Sequence, residues 1–260
     1  MSQAYAIPSS DTANQKNAAL SKRLVVLGYG IIGYTSGMCG LLWFILAMGG
    51  LAPSGFGPIE SSTLTVAIAI NVSLIVLFGL QHSVMARPGF KRVLRTFMPE
   101  ATERSSFLLF SGLFLMLAIW SWQPLPGEVW SVENTAAIIG LYTLYALGWS
   151  YLLVATFITN HFELMGLRQI YLYVTNQPYT KIPFTRKYMY SYSRHPMMLG
   201  LLIGMWFVPT MSYSHFLMAS LISVYVFIGI FFEERDLKKE FGKTYNKYKE
   251  DIATLIPGMY

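Results

Sequence analysis

Long apolar stretches separated by short polar ones run through the whole chain. Residues 24–48, 64–85, 107–120 and 135–158 are almost wholly apolar. Most approach the ~20 residues that a helix needs to cross a bilayer, the third being shorter. A fifth apolar block, 197–232, is too long for one span and is interrupted by "VPTMSYSH" around Pro209. Proline and the polar cluster after it do not belong in lipid-facing helix, so this block predicts a helical hairpin with arms of unequal length. Beyond it, Leu237, Phe241, Tyr245 and Tyr248 recur at helical spacing. That spacing predicts an amphipathic helix lying on the bundle or on the membrane surface. Lys238, Lys239, Lys243 and Lys247 form its solvated, lipid-attracting side. The expected fold is all-α: a polytopic integral membrane helix bundle of four spans, a C-terminal helical hairpin and a cytoplasmic amphipathic helix. Residues 23–260 form one domain behind a polar tail, residues 1–22. The first span is too long for the apolar core of a secretory signal, so no cleaved signal peptide is expected.

Composition sharpens this picture. Hydrophobic residues make up 54% of the chain and charged residues 12%, about half the charged share usual in a soluble domain. One cysteine, Cys39, excludes an internal disulfide and a cysteine metal cluster. Its apolar surroundings predict a packed core residue. The net charge of +6 invites a nucleic-acid reading, but the positions of the basic residues refuse it. All 19 Lys and Arg lie before the first span, between spans two and three, between span four and the hairpin, or after Phe232. The opposite loops, "GGLAPSGFGPIESST" and "SWQPLPGEVWSVEN", contain none. The positive-inside rule makes the basic face cytoplasmic, with both termini on it. The partners expected are membrane lipid and a small molecule, not nucleic acid.

Polar chemistry concentrates on that face, in "QHSVMARPGFKR", "TNHFELMGLRQ", "YSYSRHPMMLG" and "FFEERDLKKEF". Ionisable groups at the ends of spans are functional candidates by default. Pro196 suits the first turn of a helix, which places Arg194 and His195 at the helix start, where free N–H groups favour an anion. Gly200, one turn in, lets another group approach the backbone closely. Folding the hairpin brings Glu233 and Glu234 to the same place, beside Tyr190, Tyr192, Tyr245 and Tyr248. A cation, paired carboxylates and several tyrosines complement a small zwitterion carrying a ribose and an aromatic base. A sulfonium is also favoured near aromatic faces.

"YSYSRHPMMLG", followed some thirty residues later by "EERDLKKEFGKTYNKY", resembles the C-terminal signature of the isoprenylcysteine carboxyl methyltransferase superfamily over roughly residues 188–257. With "QHSVMARPGFKR", "RSSFLLFSGLFLMLAIWSWQPLPGEVW" and "TNHFELMGLRQ", the chain from residue 24 resembles the bacterial methanethiol S-methyltransferases. The resemblance implies an integral-membrane enzyme that uses S-adenosylmethionine to methylate methanethiol to dimethyl sulfide. The cofactor would then be held by Tyr190, Arg194, His195, Pro196, Gly200, Glu233, Glu234, Tyr245 and Tyr248, with no metal. The wider superfamily carries Tyr where this chain has Met198, a departure that points away from a prenylated acceptor. Other thiols and an isoprenylcysteine carboxylate stand as alternative acceptors.

Methyl transfer from a sulfonium to sulfur is an in-line displacement, dominated by positioning and desolvation. The nucleophile is the thiolate, and a thiol of pKa ~8.5 or above is mostly protonated at neutral pH. The site therefore needs a base or a cation. His161 and Glu163 rank first as catalytic candidates and His82 next, while Arg87 or Arg168 would instead lower the thiol pKa. Two rivals remain: a sterol-type membrane reductase using Lys181, Arg186 and Lys187 for a nicotinamide dinucleotide, and a haem carrier ligated by His82 and His161. Asn71 is expected to join helices within the membrane and His215 to be structural.

Overall fold

The computed structural model describes residues 20–54, 63–180 and 182–258. Residues 1–19 of the polar tail, part of the first loop and Lys181 lie outside the described residues. Five helices are long and apolar enough to cross a membrane: α1 (Leu20–Met48), α2 (Leu64–Ala86), α4 (Glu103–Trp120, entered through a 3-10 turn at Glu100–Thr102), α5 (Thr135–Ile158) and α9 (Tyr213–Phe241). Between them lie the short α3 (Pro88–Leu94), α6 (His161–Leu164), α7 (Leu167–Val174) and α8 (Pro196–Trp206), and α10 (Lys243–Asp251) closes the chain. At 1.5 Å per residue, α8 reaches about 17 Å and does not cross a ~30 Å hydrocarbon core. The hairpin arms are therefore unequal: α8 dips in and α9 returns all the way.

Caps start these helices where the sequence changes from polar to apolar. The Thr63 hydroxyl accepts from Val66 N–H, Asn134 from Ala137 N–H and Ser212 from His215 N–H. Each satisfies an N–H group that the first turn would otherwise leave open. The break at "VPTMSYSH" is itself structured, which the sequence pattern did not predict. β2 (Thr210–Ser212) pairs antiparallel with β1 (Glu128–Ser131), and Val132 N–H reaches Pro209 O at 3.0 Å. This two-stranded ribbon joins the α4–α5 loop to the hairpin tip.

Small residues set the helix spacing. A Cβ on Gly33 of α1 would lie 2.4 Å from the Ser105 carbonyl of α4, and one on Gly112 would lie 2.3 Å from Ser36 O. The α1 and α4 backbones thus nearly touch, the close approach that drives association where lipid supplies no hydrophobic force. Helices α5 and α8 repeat the device: a Cβ on Gly200 would lie 2.6 Å from Leu152 N, and one on Gly148 would lie 2.5 Å from Gly204 N. Around them Phe44, Trp149, Met205 and Met218 pack a buried core. Asn71, fully buried, exchanges two hydrogen bonds with the Gln123 backbone at 2.7 and 2.8 Å, tying α2 to the end of α4. Ile31, Ile32, Val76, Leu80, Phe227 and Ile228 are exposed and face where lipid belongs.

Two expectations need correction. Cys39 is exposed on α1 rather than packed in the core, because the buried face of that helix is its glycine side. The amphipathic segment is not one separate helix: α9 runs unbroken through Phe241 and turns at Gly242, whose φ of +52° interrupts it before α10. The apolar side of α10 faces protein, with Tyr245 and Tyr248 packed against Leu237, Phe184 and Ile252. The hydrogen bonds and ion pairs of the basic loops cluster at one end of the bundle, opposite the ribbon.

Candidate functional site

At that basic end a cavity opens between the start of α4, the long α5–α8 connection, the end of α9 and α10. It encloses about 990 Å³ of empty space, its open mouth included. Arg104, Thr159, Glu163 and Tyr179 line one side; Tyr190, His195, Glu233, Tyr245 and Tyr248 line another, with Met197 and Met198 in the wall.

The second side is built on Arg194. Its backbone N–H bonds Ala253 O at 2.9 Å, and His195 N–H bonds Thr254 O at 3.2 Å. The guanidinium donates to Glu234 from Nε (2.8 Å) and Nη2 (2.6 Å), to Thr254 Oγ1 (2.7 Å), and to the carbonyls of Lys249 and Ile252. Its donors are spent within the protein, and Glu234 is further held by Lys249. Arg194 and Glu234 therefore fix the C-terminal segment against α8 and α9 rather than offering free charge to a ligand, the role their positions alone suggested. His195 sits between two carboxylates, Nδ1 3.5 Å from Glu233 and Nε2 3.4 Å from Glu234, the latter without hydrogen-bond alignment. Burial nonetheless keeps its pKa below the usual histidine range, outweighing the upward pull of Glu234.

Aromatic rings complete this side. Phe184 meets Phe241, Tyr245 and Tyr248 with centroids 4.9, 6.2 and 5.3 Å apart. Tyr248 donates to Tyr190 O at 2.6 Å, whereas among the described residues the buried hydroxyls of Tyr190 and Tyr245 make no well-formed hydrogen bond, with Thr159 and Arg194 as the polar groups near them. Burial raises the pKa of both, Tyr190 to about 12, so each stays a neutral phenol. Pro196 is fully buried at the first turn of α8 and Gly200 packs on α5, so neither forms the wall. Tyr192 is 67% exposed and points away.

On the first side, "TNHFELMGLRQ" folds as two short helices around Glu163. Asn160, at φ +83°, caps α6 by accepting from Glu163 N–H at 3.1 Å. The Glu163 carboxylate accepts from Arg168 (2.7 Å), Gln169 (2.8 Å) and Tyr179 (2.8 Å). Arg168 is likewise used, over the Tyr179 ring and on Thr180 O. Glu163 does not orient His161, whose Nδ1 meets Thr156 at 2.9 Å and Nε2 meets Tyr34 at 3.2 Å. His161 is buried, stacked on Phe157, and absent from the cavity wall. Burial keeps its pKa below the usual histidine value.

His82 stands elsewhere, among Phe78, Phe107, Ser111 and Tyr225. Its ring shares none of these neighbours with His161, and both nitrogens of His161 are engaged, so the paired haem ligation does not form. Arg87 lies outside the cavity, 3.4 Å from Asp236 and over Phe232. Arg186 pairs with Asp251 and stacks on Tyr248, which takes it from a dinucleotide phosphate. The wall residues that sequence reasoning missed include Arg104, Thr159, Tyr179 and Phe184. Arg104 had a signal, an arginine just before the third apolar stretch; the loop carrying Tyr179 and Phe184 has no periodicity to read.

Fold and cavity together define a polytopic membrane enzyme, and comparison with known proteins makes it a methyltransferase. The chain belongs to the NnrU protein family, which it matches over residues 71–258. It is 38% identical over 242 residues to the methanethiol S-methyltransferase of Crocosphaera subtropica, covering 93% of this chain and 94% of that protein. The methanethiol S-methyltransferase of Mycobacterium tuberculosis is 41% identical over 191 residues, 74% of this chain and 78% of its own. Nurim of Sus scrofa is 29% identical over 209 residues, 74% of this chain and 79% of its own. No solved structure matches.

Proposed function

We propose that this protein methylates methanethiol to dimethyl sulfide with S-adenosylmethionine as donor. The observation that carries this reading is the cavity wall where His195 and Glu233 meet the Phe184–Tyr245–Tyr248 aromatic cluster, in a chain closely related to methanethiol S-methyltransferases. The fit to the donor rests on the buried hydroxyls of Tyr190 and Tyr245, which make no well-formed hydrogen bond among the described residues and suit a ligand carrying both donors and acceptors. Tyr190, His195, Glu233, Tyr245 and the aromatic faces would hold it, and when bound it supplies an electrophilic methyl group on a sulfonium. The protein's own work is positional. The aromatic cluster shields the reacting centre from water, Glu233 offers a carboxylate to hydroxyl or ammonium groups, and the Arg194–Glu234 pair keeps both elements in register. Met197 and Met198 give the wall an apolar, adaptable surface suited to a small thiol.

We place the cavity and both termini on the cytoplasmic side of a cell membrane, because the basic residues gather there. A Lys247→Cys variant should react with an impermeant thiol reagent only from that side. The enzymatic reading is tested with detergent-purified protein by calorimetric binding of S-adenosylhomocysteine and headspace assay of dimethyl sulfide. Binding without product would remove methanethiol as acceptor; product without measurable binding would remove the assigned donor wall.

A further inference from the structure

We infer that Arg104 holds the acceptor as a thiolate, an assignment that rests on the methyl-transfer reading above. Arg104 is half-buried in the first turn of α4 and lines the same cavity as the aromatic cluster. Its Nε is buried without a hydrogen-bond partner, and among the described residues no carboxylate pairs with it. Five other arginines of the basic face are spoken for: Arg87 by Asp236, Arg95 by Glu100 and Glu103, Arg168 by Glu163, Arg186 by Asp251, Arg194 by Glu234. A buried cationic N–H left without a partner is costly unless a ligand completes it. The two arginines that sequence alone offered for this task, Arg87 and Arg168, are the ones already engaged.

The surroundings keep Arg104 in place and leave it positive. The α6–α7 turn packs on its stem so tightly that a Cβ on Gly166 would lie 2.8 Å from Arg104 Cβ. Tyr179 faces it, raised to about 12 mainly by burial and then by its hydrogen bond to Glu163, so it stays protonated. The Glu163 oxygens are taken by Arg168, Gln169 and Tyr179. Lys91 of α3 is brought down to about 8, first by burial and then by Arg104, with Glu103 opposing and Arg95 adding. The cavity wall thus carries a guanidinium with no carboxylate partner among the described residues, together with Glu233 and the aromatic rings of Tyr245 and Tyr248.

A cation a few ångströms from a thiol lowers its pKa by about 1–3 units, and each unit multiplies the thiolate fraction about tenfold. The thiol proton leaves to water at the cavity mouth. The thiolate sulfur then forms its bond to the methyl carbon as the sulfonium C–S bond breaks, that electron pair remaining on the donor sulfur. Both products are neutral thioethers, so Arg104 loses its counter-ion and releases dimethyl sulfide.

The test compares wild type, Arg104→Gln, Arg104→Lys and Lys91→Met, full length in detergent. It reads kcat/KM for methanethiol against pH and, separately, S-adenosylhomocysteine affinity by calorimetry. Arg104→Gln should lose about 10²-fold in kcat/KM at neutral pH, the scale of removing one electrostatic stabiliser. Its rising limb should move up by at least about one pH unit, while S-adenosylhomocysteine affinity holds within about threefold, which also reports folding. Arg104→Lys should recover part of the rate as a point charge without the planar fork. The limb should persist in Lys91→Met, so that it belongs to the thiol. A tenfold or greater loss of S-adenosylhomocysteine affinity with an unmoved limb would overturn the assignment and give Arg104 to the donor's carboxylate. An Arg104→Gln enzyme unchanged in both readouts would overturn it as well. A wild type that binds S-adenosylhomocysteine but makes no dimethyl sulfide contradicts the underlying reading instead, so the two failures are distinguishable.

Discussion

Arg194 and Tyr245 both line the cavity yet have opposite standing in the fold. The Arg194 side chain is 3% exposed and its charge is met by Glu234, itself 12% exposed. Removing one member of such a pair strands the other, at a cost of about 3–5 kcal/mol. Arg194→Met should therefore lower the apparent melting temperature in detergent and abolish activity with it; a stable but inactive variant would show that Arg194 acts on ligand directly. Tyr248→Phe loses a hydroxyl bonded to Tyr190 O and should cost about 1 kcal/mol. Tyr245→Phe removes a buried hydroxyl that makes no well-formed hydrogen bond among the described residues, so thermal stability should hold while S-adenosylhomocysteine affinity falls. Equal losses of stability in the two phenylalanine variants would contradict that division. His161 and His195 set a pH dependence. Burial holds both below their ordinary range, so the unfolded chain, titrating near 6.5, binds more protons than the folded one just below that pH. Stability then falls as pH drops through about 6.5, and these two groups add nothing above it. Melting temperatures at pH 7.5 and 5.5 should differ in that sense; a higher value at 5.5 would contradict it. Which arginine is free was not legible in the sequence. Arg87, Arg104 and Arg168 share a residue type and a membrane face, and only the carboxylate that each meets, or fails to meet, separates them.

At the scale of elements, the glycine seams position the site. Helix α1 is held against α4, whose first turn presents Arg104, and α8 against α5, whose continuation presents Thr159 and Glu163. Gly33→Ala would put a methyl 2.4 Å from the Ser105 carbonyl, forcing a backbone shift worth about 1–3 kcal/mol. Gly28 on the same helix has nothing within 4 Å of its Cβ position, so Gly28→Ala should be neutral or stabilising by up to about 1 kcal/mol. Melting curves of both variants check the seam, and matched effects would contradict it. The spans and the hairpin were readable because apolar length and the Pro209 break express directly where helix is allowed. Gly200 was readable as a point of close approach, but the partner, the α5 backbone, is a tertiary fact. The ribbon between β1 and β2 was not readable, since two segments of three and four residues carry too little pattern. The Gly242 turn hid inside a helical spacing that continues across it.

Across the whole molecule, one end holds the chemistry and the middle insulates it. The bundle sets apolar residues toward lipid, gathers its basic loops at one end, and closes a cavity there with the returning arm of the hairpin. "RHPMMLG" and "FFEERD" lie at the two ends of that hairpin, and Arg194 and Glu234 from these segments do meet. The sequence made that juxtaposition readable through its charge spacing; it left open that the pair would clasp itself and cede the ligand to its neighbours. The central claim is transfer of a methyl group to methanethiol. Its most direct test is to supply purified protein with S-adenosylmethionine carrying a trideuterated methyl group and unlabelled methanethiol, then follow the headspace by mass spectrometry. The account predicts dimethyl sulfide with one deuterated methyl, dependent on both reactants. Unlabelled dimethyl sulfide, or none from protein that still binds S-adenosylhomocysteine, would contradict it.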